Sequence, residues 1–335
     1  IMKRKIMEML RHSKGIVMLT VLAGAYTGAF GQKFTIPVFP DTQTEISRNP
    51  AMLFSQVNWI KEKKDSLNIP IALHVGDLVD FNNYGQWEVA SEAFDILDDA
   101  NIPYAITLGN HDGSAVGLHS GSAAPGNVNA NLRTTDKFNS YFPVYRFKQQ
   151  RGRFEADKSD NAYYTFSAGG LDWLVLTLEF TMRHDPLNWA EKVVENHPSY
   201  NVIIVTHYFL NPDGNIGQRN AGYGNLSPQE MYDFLIKKHN NIKLVLSGHV
   251  DGSAKRVDKG VNGNNVYEIL QDFQGKRFGY GNGYLRLLEI DTKEKTISAK
   301  IYSPYLDKEM GGESTFSFPD VDFITKFPTG EALNN

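Results

Sequence analysis

Cysteine is absent from all 335 residues. No disulfide framework, thiol nucleophile, thiolate metal ligand or lipid-bearing cysteine is therefore available, and metal ligands must be His, Asp, Glu, Asn or Gln. Basic runs are missing after residue 31 as well. Lysine and arginine total 34 against 38 acidic residues, a formal charge of −4, which argues against nucleic acid or an anionic membrane as a stable partner. After residue 31 no segment is apolar enough to span a bilayer. What is present, 41% hydrophobic and 21% charged, is an ordinary globular composition, long enough for a sizeable core.

The N-terminal stretch reads differently from the rest. Lys3, Arg4, Lys5, Arg11 and Lys14 precede the apolar run GIVMLTVLAGAYTGAF, and Ala29-Phe30-Gly31 offers small residues where a signal peptidase reads them. The pattern predicts a signal peptide over 1–31, cleaved after Gly31, and export to the periplasm or beyond. An uncleaved anchor is the alternative, but the run is short and glycine-rich for a membrane span. Loss of residues 1–31, with five basic residues and Glu8, takes the formal charge from −4 to −8. Residues 32–335 are expected to form a single domain.

Beyond that point strands and helices alternate. FTIPVF, IPIALHV and IPYAITL read as buried strands, separated by the helical stretches AMLFSQVNWIKEKKDSL and WEVASEAFDILDDA. Strand, helix, strand, helix, strand implies parallel pairing, with ligands at the carboxyl edge of the sheet. Residues 113–137, rich in Gly, Ser, Ala and Asn, read as a long surface loop, a rim or a lid. YYTFSAGGLDWLVLTLEF reads as two strands about Gly169-Gly170, and a helix is expected over Leu187–Glu195. NVIIVTH and NIKLVLSGH are further strands, with a helix starting near Ser227-Pro228 between them. VYEILQDF, YLRLLEI and TISAKIYS make the tail strand-rich, with turns at Asn262-Gly263 and Asn282-Gly283. The glycine-rich FGYGNGY, with Tyr280 and Tyr284, reads as a hairpin.

Five apolar runs end in potential ligands. They deliver Asp41-Thr42-Gln43, Asp77 with Asp80, Asn110-His111-Asp112, His207, and His249 with Asp251. Helix caps and turns explain Asp and Asn in such places. They do not explain why three histidines fall there too.

GDLVD, GNHD and GH, in this order on a βαβ frame, resemble the calcineurin-like metallophosphoesterases. DTQ, SAGGLDWLVLTLE, THYFLNPDG and YSPYLD extend the likeness to bacterial exported members and to essentially the whole chain after residue 31. The resemblance implies a four-layer αββα sandwich, two mixed sheets flanked by helices, holding two divalent ions (Mn, Fe, Zn, Mg or Ca). It implies that Asp77 bridges the ions, since two adjacent cations repel unless an anion lies between them. Asn110, His207 and His249 match the remaining ligands of one ion, and Asp41 a ligand of the other. His111 matches the histidine that protonates the leaving oxygen, and Asp80 the carboxylate that orients its ring.

Two positions depart from the widest pattern of that family. Gln43 stands where the first motif usually has His, and Asp251 where the last does. Both belong to the Asp41-side ion, so harder oxygen ligation and a preference for Mg²⁺, Mn²⁺ or Ca²⁺ are expected there. Asp251 has a second reading, as a turn residue before Gly252. Asn211, Asp213 and Arg219 are candidates to contact substrate, or simply a polar surface loop. His74 reads as a buried, hydrogen-bonded histidine beneath the site.

Three functions stay open on this evidence. The first is an exported phosphodiesterase acting on a small or polymeric phosphoester, the second a phosphomonoesterase. The third is a non-catalytic metal- or phosphate-binding relative with a weakened first site. Retention of both His111 and Asp80 favours an enzyme.

Overall fold

The computed structural model describes residues 33–116, 132–220 and 222–325. The expected signal segment, most of the 113–137 loop, His12 and His119 lie outside the described residues.

Two seven-stranded sheets carry the structure. In the first, β1 (Lys33–Phe39), β2 (Ala72–His74) and β3 (Tyr104–Ile106) pair in parallel, as the alternating pattern predicts. On the other side of β1 the late strands β11 (Leu285–Asp291) and β12 (Thr296–Ser303) pair antiparallel, with β13 (Lys308–Glu309) and β14 (Phe316–Phe318) both on β12. The second sheet runs β4 (Gln150–Arg153), β5 (Ala162–Ala168), β6 (Leu171–Leu178), β7 (Asn201–Thr206), β8 (Ile242–Ser247), β10 (Asn265–Asp272) and β9 (Gly252–Lys259). From β6 to β10 its neighbours are parallel, and both outer edges are antiparallel.

Side-chain alternation assigns each face. On β6 and β7, Trp173, Val175, Ile203 and Val205 join the large core shared with the first sheet, where Phe34 meets Trp173 edge-on at 5.4 Å. The alternate residues Leu174, Leu176, Val202 and Ile204 join a separate core under two helices, α5 (His184–Glu195) and α6 (Pro228–Phe234). Period two on strands buried on both faces gives this result, because each sheet is covered twice. The helices α2 (Ala51–Lys63) and α3 (Tyr84–Asp99) bury Leu53, Val57, Trp87 and Phe94 on the first sheet. Helix, sheet, sheet, helix is the expected four-layer sandwich.

Two short helices were not anticipated: α1 (Gln43–Arg48), immediately after the Asp41 motif, and α4 (Asp136–Tyr141). The hairpin reading of FGYGNGY does not hold. Its flanking strands β10 and β11 belong to different sheets, so the segment is a crossover. It lies over α1: Thr44 Oγ1 donates to the carbonyls of Gln274 and Tyr280, and the amide of Gly283 donates to Glu45 Oε1. Turn chemistry marks where a chain reverses, whereas the partner sheet is a tertiary choice. The Gly169-Gly170 and Asn262-Gly263 turns do close hairpins. Among the described residues no helix is long and apolar enough to cross a membrane.

Glu268 on β10 is fully buried beside Asp258. Burial first, then the Asp258 charge, push its carboxyl up to about 9 from an ordinary 4.5. The folded chain therefore holds a proton that the unfolded chain releases between those values, and stability falls as pH rises across that window. Urea unfolding at a series of pH values should show Glu268→Gln losing this dependence, up to about 1.4 kcal/mol per pH unit, and exceeding the parent at neutral pH. A parallel dependence in both chains would contradict it.

Candidate metal centre

Each strand of the two parallel blocks ends at the same edge, and the next residues turn inward. Asp41 follows β1, Asp77 follows β2, Asn110 and His111 follow β3, His207 follows β7 and His249 follows β8. The turns are tight enough to need special backbone. Asp77 and His249 lie in the left-handed region at φ 53° and 73°, the first of them behind Gly76 at 101°, a conformation that non-glycine residues hold only when surrounding structure imposes it. Here main-chain bonds impose it: the amides of Thr42 and Gln43 donate to the Asp77 carbonyl at 3.1 and 3.0 Å, and that of Gly248 to the His207 carbonyl at 2.9 Å. Close approach requires glycine beside the carboxylates. A Cβ on Gly109 would stand 2.0 Å from Asp77 Oδ1, and one on Gly248 2.0 Å from Asp41 Oδ1.

His207 is the hub. Its Nδ1 donates to the Val75 carbonyl at 2.9 Å, which leaves Nε2 as a bare lone pair in the neutral ring. Three further polar atoms surround that nitrogen: Asp77 Oδ2 at 3.1 Å, Asn110 Oδ1 at 3.1 Å and His249 Nδ1 at 3.2 Å. The Asp41 carboxylate stands 4.0 Å away. Carboxylate, amide and imidazole ligand atoms converging this closely fit a shared cation. Asp77, His207 and His249 form a group whose ligand atoms all lie within 4.8 Å of one another.

Electrostatics follow the same geometry. Burial alone would raise Asp77, but the imidazoles of His207 and His111 hold its carboxyl well below the usual range. Asp41 is pushed well up, first by burial, then by the charges of Asp272 and Asp77. His249 falls to about 3, again through burial and then His207. Burial alone would lower the His207 ring, but the Asp77 carboxylate raises it, and a divalent ion bound there would take the place of the proton between them.

The remaining candidates divide. The His111 amide donates to Asp77 Oδ1 at 2.8 Å, and its ring Nδ1 donates to the main-chain carbonyl of Asp80 at 2.7 Å. The Asp80 carboxylate, expected to orient that ring, stands 3.7 Å from the same nitrogen and plays the lesser part. Gln43 is buried, with Nε2 donating to Gln274 Oε1 and Oε1 left without a hydrogen-bond partner. Asp251 does not join the cluster: its Oδ1 accepts from the Gly275 amide at 3.1 Å and its Oδ2 pairs with Arg277 at 2.9 Å. Arginine and amide neutralise that carboxylate where it stands, so it is a turn anchor. Asn211 accepts from Tyr208, whose ring lies 5.1 Å from that of His249. Asp213 closes an exposed turn on Asn215, and Arg219 lines a surface pocket with Ser227 and Glu230. His74 sits beneath the site as expected. It accepts from the Gly76 amide through Nδ1 and meets Thr42 Oγ1 through Nε2, and that hydroxyl donates to the Leu78 carbonyl.

Three contributors, Phe180, Asp272 and Gln274, escaped the sequence reading, and Asp112, named there among the strand-end residues, was given no role. Asp112 accepts from the amides of Leu78, Val79 and Gly109, tying the second motif to the third. Phe180, just past β6, packs its ring on His207 and His249 at 5.4 and 5.0 Å, fixing both imidazoles. Asp272 and Gln274 lie at the end of β10, both beside the Asp41 side of the centre. Asp272 had a visible signal, since VYEILQD ends in a carboxylate as the other apolar runs do.

Fold and ligand cluster together define an α/β sandwich with a metal-binding centre at its strand ends. Residues 35–251 match the family described as calcineurin-like phosphoesterase, and the chain belongs to that family. It is 29% identical over 298 residues to the uncharacterized protein YvnB of Bacillus subtilis (strain 168), a match covering 86% of this chain and 21% of that protein. The chain thus spans about a fifth of the length of that relative. Two solved structures share the fold at a TM-score of 0.52. One is the purple acid phosphatase PPD1 from yellow lupin (Lupinus luteus) seeds, 12% identical over 90% of this chain and 57% of that one. The other is a dimetal phosphatase from Danio rerio, 13% identical over 85% of this chain and 98% of that one.

Gly248→Ala should displace the Asp41 carboxylate and weaken Mn²⁺ binding by about 10–100-fold, read by isothermal titration. Unchanged affinity would show that the close approach at Gly248 has no bearing on the centre.

Proposed function

We propose that this chain is an exported, metal-dependent phosphoester hydrolase that favours phosphodiesters. One observation carries the reading: Nε2 of His207 meets Asp77 Oδ2, Asn110 Oδ1 and His249 Nδ1 within 3.2 Å, with His111 hung on the same Asp77 carboxylate. Asn110, His207 and His249 would hold one divalent ion, Asp77 both, and Asp41 with Gln43 the other. Divalent ions bound there would supply a water acidified toward neutral pH and charge neutralisation on phosphoryl oxygens. The oxygen-rich Asp41 side favours Mn²⁺, Mg²⁺ or Ca²⁺.

The protein's own groups do the rest. The carbonyl of Asp80 fixes the Nδ1 proton of His111, so the ring presents Nε2 as the atom that hands a proton to the departing alcohol. Phe180 and Tyr208 keep the neighbouring imidazoles from rotating. Among the described residues no lysine or arginine side chain is bonded to Asp41, Asp77, Asn110, His111, His207 or His249. A diester, with a single negative charge, makes less demand on such a cation than a monoester does. That supports the diester preference. Phosphomonoesters are the second class to assay, because both structural neighbours are called phosphatases. Export rests on the basic-then-apolar pattern of residues 1–31.

The test sets an aryl phosphodiester beside the matching monoester, with protein stripped of metal and reloaded with Mn²⁺. The expected result is faster diester turnover, lost about 10²–10⁴-fold in His111→Ala. Asp80→Asn keeps the carbonyl and should lose less than about tenfold. Metal-independent turnover, or full activity in His111→Ala, would refute the reading.

A further inference from the structure

With Asp251 committed to Arg277, the Asp41 side of the centre is left with fewer ligands than the motifs promise. The structure places another carboxylate there. β10 runs parallel to β8 with Leu270 opposite Ser247, so Asp272 emerges two residues beyond that rung, as His249 does on β8. The amide of His249 in turn donates to both carboxylate oxygens of Asp41, at 3.3 and 3.0 Å. Asp272 is fully buried, and among the described residues no lysine or arginine pairs with it. Among the described residues its side chain accepts hydrogen bonds from Gln274 alone: the amide to Oδ1 at 2.9 Å and Nε2 to Oδ2 at 3.0 Å.

Gln274 carries the connection onward. Its Oε1 accepts from Gln43 Nε2, so one side-chain amide braces Asp272 and Gln43 together. This fixes which way the Gln43 amide faces. Its Oε1 has no hydrogen-bond partner although the residue is only 6% exposed. A buried amide oxygen left unpaired costs free energy comparable to a lost hydrogen bond. Buried carboxylates set beside one another cost far more unless a cation lies between them. One divalent ion would relieve both.

We propose that Asp272 is a ligand of the Asp41-side cation, filling the place that the sequence motif gives to Asp251. Asp41, Asp77, Gln43 Oε1 and Asp272 then make an all-oxygen set, which takes Mn²⁺, Mg²⁺ or Ca²⁺ ahead of Zn²⁺. The assignment rests on the two-ion reading above, extends it to a residue outside the matched 35–251 segment, and supplies a ligand in place of the second histidine.

Metal binding itself is the readout. Stripped wild type, Asp272→Asn and Asp251→Asn are equilibrated with Mn²⁺ alone, and bound metal per chain is counted by equilibrium dialysis with elemental analysis. Wild type and Asp251→Asn should hold two ions per chain, and Asp272→Asn one, its second binding weakened at least about tenfold. Two ions in Asp272→Asn, or one in Asp251→Asn, would overturn the assignment while leaving the two-ion reading intact. Fewer than two in wild type would remove that reading, and this one with it. Circular dichroism monitors folding. Should Asp272→Asn fail to fold, Asp272→Glu replaces it, moving the carboxylate by one methylene, and wild-type affinity for both ions would again overturn the proposal.

Discussion

Everything at the strand ends depends on the proton of His207 Nδ1. Because Val75 accepts it, Nε2 is the atom that faces the interior, against Asp77 Oδ2, Asn110 Oδ1 and His249 Nδ1. Such a crowd of polar atoms, drawn largely out of water, is costly without a shared partner. Its parts are held by what surrounds them. Left-handed backbone at Asp77 and His249, glycines with no room for a Cβ, and the Asp112 carboxylate bonded to three amides keep these atoms converged. Strain of this kind persists only where the fold over-determines it. Two sheets buried on both faces provide that constraint.

The division of labour between the sheets follows. The first supplies Asp41, Asp77, Asn110 and His111, and the second His207, His249 and Asp272. The centre therefore exists only when the two are correctly opposed, which the interlocked Phe34, Phe166 and Trp173 rings ensure. The crossover between β10 and β11, laid on α1 by Thr44 and Glu45, brings Gln274 to Gln43. Chain connectivity and ligand placement are here the same feature.

Much of this was legible in the sequence. Apolar runs ended by His, Asp or Asn located five of the strand ends, because parallel strands share one edge and their exits must converge. Alternating elements pointed to parallel pairing, and the four-layer class followed from the family resemblance. Other features were hidden for physical reasons. Asp251 and Asp272 both follow apolar runs, and only tertiary structure shows that Arg277 neutralises the first while the second is buried without a basic partner among the described residues. Asp80 was recognised for its carboxylate, yet its main-chain carbonyl holds His111, and no sequence pattern distinguishes the two. FGYGNGY announces a reversal but not the sheet to which the chain returns.

The central claim is that this buried cluster of polar atoms is a two-cation centre. A crystal of the Mn²⁺-loaded protein, measured at the manganese absorption edge, tests it most directly. Two anomalous peaks roughly 3.5–4 Å apart, one against His207 Nε2 and one against Asp41, with Asp77 between them, are predicted. A map without peaks, with Asp77, Asn110 and His249 closed onto His207 through waters, would contradict the account.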